Sequence, residues 1–211
     1  MPRPRSLTLD DIGAAALAVV DRDGLGAVTI RSVASELGVA PMALYRYVES
    51  RDELDGLVVD LVVRDIDPSV SARAAWPTRI TTIALRIRDA VGAHPGVVPL
   101  VLTRRQSTVA SLACGEVMLA ALADGGLAGR RRTIAFRAIL AYIVGAVQTE
   151  HLGSLAGAGT AAIAALDPDV YPNLTDAASY APSIDADAEF LGGLDILLRG
   201  LGAPSRRSSR R

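Results

Sequence analysis

The sequence has a single cysteine, Cys114, and no apolar segment typical of a secretion signal follows its basic residues 1–5. One cysteine excludes an intramolecular disulfide, the common stabiliser of small secreted domains. The longest uninterrupted apolar run, residues 138–147, has ten residues, whereas a helix needs roughly 20 to cross a bilayer. We therefore expect a soluble, cytoplasmic protein without a membrane partner.

Cysteine and histidine, which often act as nucleophiles, general bases or metal ligands, are also scarce. The two histidines, His94 and His151, lie far apart in the sequence, and the chain contains no HExxH, GxSxG or P-loop motif. We expect no enzymatic activity, no cofactor and no metal site. A helical-bundle enzyme is the least favoured of three hypotheses for the function. Observed turnover of a substrate without an added cofactor would be needed to support it.

Lysine is absent, and 22 arginines stand against 23 acidic residues, so the formal net charge is −1. A protein that binds nucleic acid nonspecifically normally carries a basic excess. Any DNA-binding function must therefore depend on a local arrangement of side chains.

Apolar residues recur at helical spacing along almost the whole chain, which predicts an all-α fold. Thr8 and Thr29 suit helix N-caps, Ser50 and Glu53 suit a capping box, and Gly38 suits a left-handed helix stop. A segment rich in proline, aspartate and serine at 167–185 is predicted to be a loop. Helices are predicted over residues 9–23, 30–37, 41–48, 51–67, 76–92, 95–103, 107–123, 130–152, 160–166 and 186–201.

Residues 30–49 meet the steric demands of a helix-turn-helix. Small Ala34 allows two helices to cross closely, Gly38 tolerates the turn, and Leu44 and Val48 anchor the second helix. Its outward face is small enough for a DNA major groove about 12 Å wide. Any short helical hairpin shares this spacing, so the motif alone leaves DNA binding open. The outward residues are Pro41, Met42, Tyr45 and Arg46, with Ala43 near the edge.

Side-chain chemistry suggests how each of these residues would contact DNA. Arginine pairs with guanine, small apolar side chains touch the thymine methyl group, and tyrosine hydroxyls bind phosphate oxygens. The candidates are Arg46 for guanine, Met42 and Ala43 for thymine, Tyr45 and Tyr47 for phosphate, Arg31 for a base edge or phosphate, and Arg51 for the DNA backbone.

Three short segments extend this pattern: TIRSVA at 29–34, LGV at 37–39 and LYRYV at 44–48, followed by RDEL at 51–54. Together they resemble the tetracycline-repressor-like (TetR/AcrR) transcriptional regulators. A weaker resemblance to the C-terminal domain of the tetracycline repressor class lies in HPG at 94–96, GGL at 125–127 and residues 190–198.

The resemblance implies a homodimer whose two heads bind a palindromic operator, and a helical core that holds a small-molecule inducer. We expect a helix-turn-helix DNA-binding domain with its connecting helix at 1–67, a larger helical ligand-binding and dimerisation domain at 68–202, and a disordered Arg-rich tail at 203–211. Leu100 and Val101 stand where the tetracycline repressor would have a ligating histidine, so we expect neither tetracycline nor magnesium binding.

Two C-terminal segments, 130–152 and 190–201, are apolar around most of their circumference, which predicts a dimer interface of four helices. Burial within a monomer is the alternative explanation. Small residues around these helices would leave space for an apolar pocket with a few polar groups. The candidate ligand-binding residues are His94, Thr103, Arg104, Gln148, Glu150 and His151.

The function predicted from the sequence is a ligand-responsive DNA-binding transcriptional regulator, most simply a repressor that an inducer releases from its operator. Activation in place of repression remains open. The alternative is an all-α small-molecule carrier or sequestering protein without specific DNA binding, whose N-terminal hairpin only packs.

Overall fold

The computed structural model describes residues 7–104, 108–153, 155 and 157–202, and within these ranges the chain is helical without a strand. The predicted all-α fold is confirmed. In the described ranges, three short 3-10 helices lie between the longer ones: Leu25–Ala27, Pro95–Val97 and Ala181–Ser183. The α-helices are α1 (Leu9–Asp23), α2 (Ile30–Glu36), α3 (Pro41–Leu44), α4 (Arg51–Val63), α5 (Trp76–Gly92), α6 (Val98–Arg104), α7 (Val109–Asp124), α8 (Gly129–Leu152), α9 (Ala158–Ala164), α10 (Pro172–Tyr180) and α11 (Ala186–Gly202).

The N-terminal helices begin at the predicted caps. The Thr8 hydroxyl accepts the Asp11 N–H at 3.1 Å, and the Asp11 carboxylate accepts the Thr8 N–H at 2.9 Å. Thr29 caps α2 in the same reciprocal way, with Ser32 as its partner. These contacts satisfy backbone N–H groups that the first turn of a helix leaves without intrahelical acceptors.

The capping box expected at the start of α4 is only half formed. The Ser50 hydroxyl accepts the Glu53 N–H at 3.3 Å, as expected. The Glu53 carboxylate, however, accepts the N–H of Glu49 at 2.7 Å, one residue before the predicted donor. The shifted contact still satisfies a backbone donor at the junction between the helix-turn-helix and α4.

Two predicted helices are shorter than expected. The second helix of the helix-turn-helix ends at Leu44, and residues 45–47 continue as turns in which the N–H groups of Tyr47 and Val48 both bind the Leu44 carbonyl. Helix α4 ends at Val63 and not at residue 67. Sequence patterns predict the ends of helices poorly, because the final turn of a helix depends on local hydrogen bonds.

The prediction of a loop at 167–185 is wrong, because α10 and a 3-10 helix occupy most of these residues. Pro172 takes the first helical position, where a missing N–H costs no hydrogen bond. Ala178 and Ala181 are the buried residues of this segment, and small side chains let it pack closely against its neighbours. The proline that suggested a loop therefore starts a helix.

The described chain divides into two compact units. Unit 1 contains residues 7–71 with 83–118, and unit 2 contains 72–82 with the residues from 119 onward. Helices α5 and α7 each contribute residues to both units. The predicted domain boundary at residue 67 stays a prediction, and the predicted tail at 203–211 lies outside the described residues.

The core of unit 1 forms where α1 packs against α4. Ile12, Ala16 and Val19 of α1 are fully buried, as are Leu54 and Val58 of α4. Each large aliphatic side chain removed from water contributes roughly 1.5–3 kcal/mol. The same core supports the helix-turn-helix, because Val33, Ala34, Leu44 and Val48 are buried too.

The core of unit 2 includes the contact of α8 with α11. The Tyr142 hydroxyl donates to the Phe190 carbonyl at 2.7 Å, and the two rings lie 5.7 Å apart between centroids. Gly193 lies against Tyr142, since a Cβ there would fall within 3 Å of the ring. Gly193 therefore allows α8 and α11 to approach closely within one chain. The buried stripes are Ala135, Ile139, Ile143 and Val147 on α8, and Phe190, Leu194 and Leu198 on α11.

Among the described residues, no single helix has the length and hydropathy needed to cross a membrane. One pair, 95–104 with 109–124, passes a test of length and composition together but is bent by 74°.

Candidate DNA-binding surface and ligand-binding residues

The turn between α2 and α3 has the predicted helix-turn-helix geometry. Gly38 has a φ of +67°, the left-handed region that L side chains rarely adopt. The Val39 N–H binds the Ala34 carbonyl at 3.0 Å and closes the turn. Since Ala34 is fully buried, a larger side chain there would push the two helices apart.

The second helix presents the predicted residues to the exterior. Met42 is 74% exposed and Tyr45 is 49% exposed, while Leu44 between them is fully buried. Pro41, Arg46 and Tyr47 are also exposed, and Ala43 is half-buried, as its predicted edge position requires. The burial of Leu44 and Val48 fixes which face of the helix points outward.

Two exposed arginines flank this face. Arg31 is the second residue of α2, and Arg46 lies just beyond α3. Within the described chain neither guanidinium has an ion-pair partner, and residues 38–48 contain no acid. Both side chains are therefore available to an anionic or hydrogen-bond-accepting partner such as DNA.

Arg51 is placed differently, because its guanidinium is bound inside unit 1. Its Nε donates to Asp55 at 2.6 Å, and its terminal nitrogens donate to the carbonyls of Leu25, at 2.8 Å, and Val28. Arg51 thus ties the start of α4 to the segment that precedes α2. The sequence signalled only the Asp55 contact, through its i,i+4 spacing.

His94, the first of the predicted ligand-binding residues, contacts α1. Its Nδ1 lies 2.8 Å from an Asp21 carboxylate oxygen. Gly96 lies so close to α1 that an added Cβ would fall 2.8 Å from a Val20 methyl carbon. The turn that leads into α6 is therefore fitted tightly against α1.

Arg104, at the other end of α6, forms an ion pair with Asp52 of α4 through both terminal nitrogens. This hydrogen bonding lowers the pKa of the Asp52 carboxyl and raises that of the Arg104 guanidinium. The Thr103 hydroxyl donates within α6, to the Pro99 and Leu100 carbonyls at 3.1 Å each. His94 and Arg104 thus hold the two ends of segment 94–104 to α1 and α4.

The other predicted ligand-binding residues belong to unit 2. Glu150 and His151 line a cleft of about 490 Å³ at the end of α8, and half-buried Gln148 is not among the lining residues. The structure therefore groups His94, Thr103 and Arg104 in one unit and Gln148, Glu150 and His151 in the other. The remaining residues that line the cleft are Leu152, Gly153, Gly157, Ala158, Gly159, Thr160 and Ile163.

No group of three or more metal-binding side chains occurs in the described parts of the chain. Cys114 is buried, and burial raises the pKa of its thiol. A raised pKa disfavours the reactive thiolate form. Cys114 thus acts as a small apolar residue of the core.

Two family models match the chain. Residues 12–54 match the bacterial regulatory proteins of the tetR family, and residues 70–204 match the tetracyclin repressor-like C-terminal domain. The chain belongs to the tetR family. The N-terminal match covers the helix-turn-helix, and the C-terminal match covers more than half of the chain.

Individual tetR-family relatives support the same assignment. The class D tetracycline repressor of Escherichia coli is 31% identical over 197 residues, which are 88% of this chain and 85% of the repressor. An HTH-type transcriptional regulator of Saccharopolyspora erythraea is 30% identical over 144 residues, which are 68% of this chain but only 61% of that regulator.

The fold matches a solved structure from Streptomyces coelicolor, the tetR-family protein ActR in complex with (S)-DNPA. The TM-score is 0.79 at 25% identity, over 94% of this chain and 98% of ActR. The tetR-family assignment makes the chain a ligand-responsive DNA-binding transcriptional regulator. The carrier hypothesis is not favoured.

Proposed function

We propose that the protein is a repressor that binds a palindromic operator as a homodimer and is released by a small-molecule inducer. One observation carries this proposal: the helix-turn-helix presents an exposed face free of acidic residues, flanked by Arg31 and Arg46. Because DNA binding is its task, we further propose that it acts in the cytoplasm, where the bacterial chromosome lies.

The DNA contacts proposed for this face follow from exposure and chemistry. Arg46 would read guanine through two hydrogen bonds, and exposed Met42, with Ala43 at its side, would touch a thymine methyl group. Tyr45, Tyr47 and Arg31 would bind phosphate oxygens or a neighbouring base edge, with Pro41 at the entry of the helix. Arg51 was predicted to contact the DNA backbone, but its bonds to Leu25, Val28 and Asp55 support a different role. We propose that it positions the recognition helix.

We propose that α8 and α11 form the homodimer interface. Ile134 on α8 is 55% exposed and Ile196 on α11 is 75% exposed, although both are large aliphatic residues. An added Cβ at Gly145, Gly192 or Gly200 would meet open space within the described chain. A second copy packed on this surface would bury the isoleucines, and the glycines would allow a close approach of the helices.

We propose that segment 94–104 transmits the effect of inducer binding to the helix-turn-helix. His94 holds this segment to α1, and Arg104 holds it to α4, the helix that follows the helix-turn-helix. A ligand that moved α6 would therefore pull on both helices that support the recognition helix. Two heads fit two operator half-sites at one separation only, so a small shift would lower specific affinity.

The identity of the inducer is proposed only as a small organic molecule of the kind that relatives bind. ActR was solved with (S)-DNPA, which supports this class. The sequence candidates form two separate groups. His94, Thr103 and Arg104 lie within unit 1, and Gln148, Glu150 and His151 lie within unit 2, where Glu150 and His151 line the cleft at the end of α8. Leu100 and Val101 offer no metal ligand, so tetracycline bound through magnesium is not proposed.

Selection from a library of random duplexes tests the operator proposal without assuming a binding sequence. The purified full-length protein should enrich an inverted repeat whose half-sites lie about one helical turn apart. The Arg46→Ala variant should enrich a motif with relaxed preference at the guanine position. Enrichment of no motif, or of a single half-site without symmetry, would contradict the proposal.

A further inference from the structure

Three of the predicted ligand-binding residues are engaged in contacts within unit 1. The Nδ1 atom of His94 lies 2.8 Å from the Asp21 carboxylate, and Arg104 is paired with Asp52. The Thr103 hydroxyl donates to carbonyls of its own helix. These polar groups hold protein elements together, so the search for a ligand site turns to unit 2.

The cleft at the end of α8 has the size and the lining of a small-molecule site. Its volume of about 490 Å³ lies within the range of roughly 300–1,000 Å³ that is typical of ligand pockets. Leu152 and Ile163 supply apolar surface, while Thr160 supplies a hydroxyl and Glu150 a carboxylate. A mainly apolar wall with a few polar groups suits a small organic molecule.

Two glycines leave space in this cleft. Gly153 and Gly159 both line it, and an added Cβ at either position would meet open space within the described chain. Neither residue has the positive φ that favours glycine. Neither backbone conformation nor packing therefore requires a glycine here, and the missing side chains leave room for a ligand.

The charge of the cleft is set by Glu150. It is the one acid among the described residues that line the cleft, and none of them is an arginine. The C-terminal end of α8 and the N-terminal end of α9 both border the cleft, and their dipoles, about half a charge each and of opposite sign, offset one another. Glu150 also interacts elsewhere in the chain, but a carboxylate has about four acceptor sites and can accept a further donor.

The sequence around the cleft is acidic as well. Residues 138–198 contain eight acids and no arginine. Arg137 precedes Glu150 by 13 residues on α8, which is about 20 Å along a helix. Arg199 lies towards the end of α11, which is bonded to the start of α8 and not to its end. Salt screens exposed charges beyond about 8 Å, so neither arginine neutralises the cleft.

We propose that this cleft binds a small organic cation, such as an alkylammonium ion with an apolar body, and that Glu150 is its counter-ion. The ammonium group donates charge-assisted hydrogen bonds to the carboxylate, and the apolar body lies against Leu152 and Ile163. An anion of the same size would face Glu150 and be repelled. The inference rests on the proposed function, since it names the chemical class of the ligand to which the regulator responds.

Three probes of similar size and different charge test this selectivity: 4-phenylbutylammonium, 4-phenylbutanol and 4-phenylbutyrate. Each is titrated by calorimetry into the full-length protein at pH 8, where histidine is ordinarily neutral. The cation should bind at least about tenfold more tightly than the alcohol, and the carboxylate should bind most weakly. Equal affinity for the three probes, or no binding of the cation, would overturn the inference.

A charge-neutral variant tests the role of Glu150. Glu150→Gln should lower the affinity for the cation about tenfold, because the hydrogen bond to a charged acceptor is lost, and should leave the affinity for the alcohol unchanged. Asp176→Asn is the control, since it removes an exposed acid of α10 that does not line the cleft. A loss of equal size in the two variants would mean general attraction to an acidic surface and would overturn the assignment to Glu150.

A filled cleft tests the location. Gly159→Leu should lower the affinity for the cation and for the alcohol about tenfold, whereas Ala162→Leu, at an exposed position of α9 outside the cleft lining, should change neither. In protein labelled with ¹⁵N-glycine, the cation should shift the amide signals of Gly153 and Gly159. Unchanged binding to the Gly159→Leu variant would place the probe elsewhere and overturn the site. Circular dichroism shows whether each variant is folded.

Operator titrations separate this inference from the proposed function. The cation should release the wild-type protein from its selected operator and should release the Glu150→Gln variant less completely. Binding in the cleft without release would overturn the regulatory role of the site, and the cation site would stand. A protein that binds the cation but no operator would contradict the proposed repressor and not the site.

Discussion

At the scale of single residues, the arginines of the helix-turn-helix region fall into two groups, according to whether the guanidinium is bound within the chain. Arg46 is exposed without an ion-pair partner in the described chain, whereas the guanidinium of Arg51 is bound on three sides. The outward position of Arg46 could be predicted because helical spacing places it opposite Leu44 and Val48. The role of Arg51 could not, since the carbonyls that it binds lie 23 and 26 residues away in the sequence.

Arg46→Ala should weaken binding to the selected operator by about 1–3 kcal/mol and relax the preference at one base pair. The loss comes from two hydrogen bonds to a guanine edge. Fluorescence anisotropy with operator and base-substituted duplexes measures it. Arg73→Ala removes the same charge elsewhere and should leave both quantities unchanged; an equal loss for the two variants would contradict base reading by Arg46.

Arg51→Ala should lower the free energy of unfolding by about 1–3 kcal/mol, because it leaves the Leu25 and Val28 carbonyls without their charged donor. Urea denaturation followed by circular dichroism measures this change. Arg51→Lys keeps the charge but not the planar fork, so it should restore only part of the stability. If Arg51→Ala were as stable as wild type and lost affinity for all duplexes equally, Arg51 would be a phosphate contact.

At the scale of helices, most elements could be predicted, and the exceptions have local causes. The start of α1 and the turn at Gly38 agree with the structure because a hydroxyl cap and a left-handed glycine are strong local signals. Helix α10 was missed because Pro172 and several acids suggested a loop. The contacts of α6 with α4 were also missed, since they depend on tertiary packing that no local pattern encodes.

Arg104→Gln should raise the pKa of the Asp52 carboxyl towards its ordinary value of about 3.9, because the hydrogen bonds from Arg104 hold that pKa down. A carboxyl whose pKa is lowered by folding stabilises the fold above its ordinary pKa, and this contribution is lost as the pH falls through the lowered value. The Arg104–Asp52 ion pair between α6 and α4 therefore persists at neutral pH. Carboxyl carbon NMR shifts across a pH titration measure the change.

The same variant tests the proposed route of induction. The Arg104→Gln variant should bind the operator but release it less completely when inducer is added, because the Arg104–Asp52 ion pair between α6 and α4 is lost. Arg79→Gln, which removes an arginine bonded to Asp124 in unit 2, is the control. If the Arg104→Gln variant released the operator completely, the Arg104–Asp52 ion pair would not transmit the effect of inducer binding.

At the scale of the whole molecule, the exposed apolar side chains on α8 and α11 support the proposed homodimer. The sequence indicated this interface because both helices are apolar around most of their circumference. The buried stripes account for only one side of each helix, and Ile134 and Ile196 stay exposed in the single chain. A monomer would leave both isoleucines in water, so the proposed dimer gives these residues a physical role.

Ile196→Asp should convert the dimer to a monomer, because it places a charge among the exposed apolar side chains of the proposed interface. Operator affinity should then fall about 10²- to 10⁴-fold, since two linked heads bind far more tightly than one. Sedimentation and operator titration measure the two effects. Val109→Asp, at another exposed aliphatic residue, should change neither. A monomeric variant with full operator affinity would contradict dimeric recognition.

The repressor proposal depends on sequence-specific DNA binding, which a titration at physiological salt measures. Wild-type protein is titrated against a fluorescent duplex that contains the selected inverted repeat and against a scrambled duplex of equal length. We predict tighter binding to the inverted repeat by roughly a thousandfold or more. Equal and steeply salt-dependent affinity for both duplexes would mean attraction to phosphates alone and would contradict recognition through the helix-turn-helix.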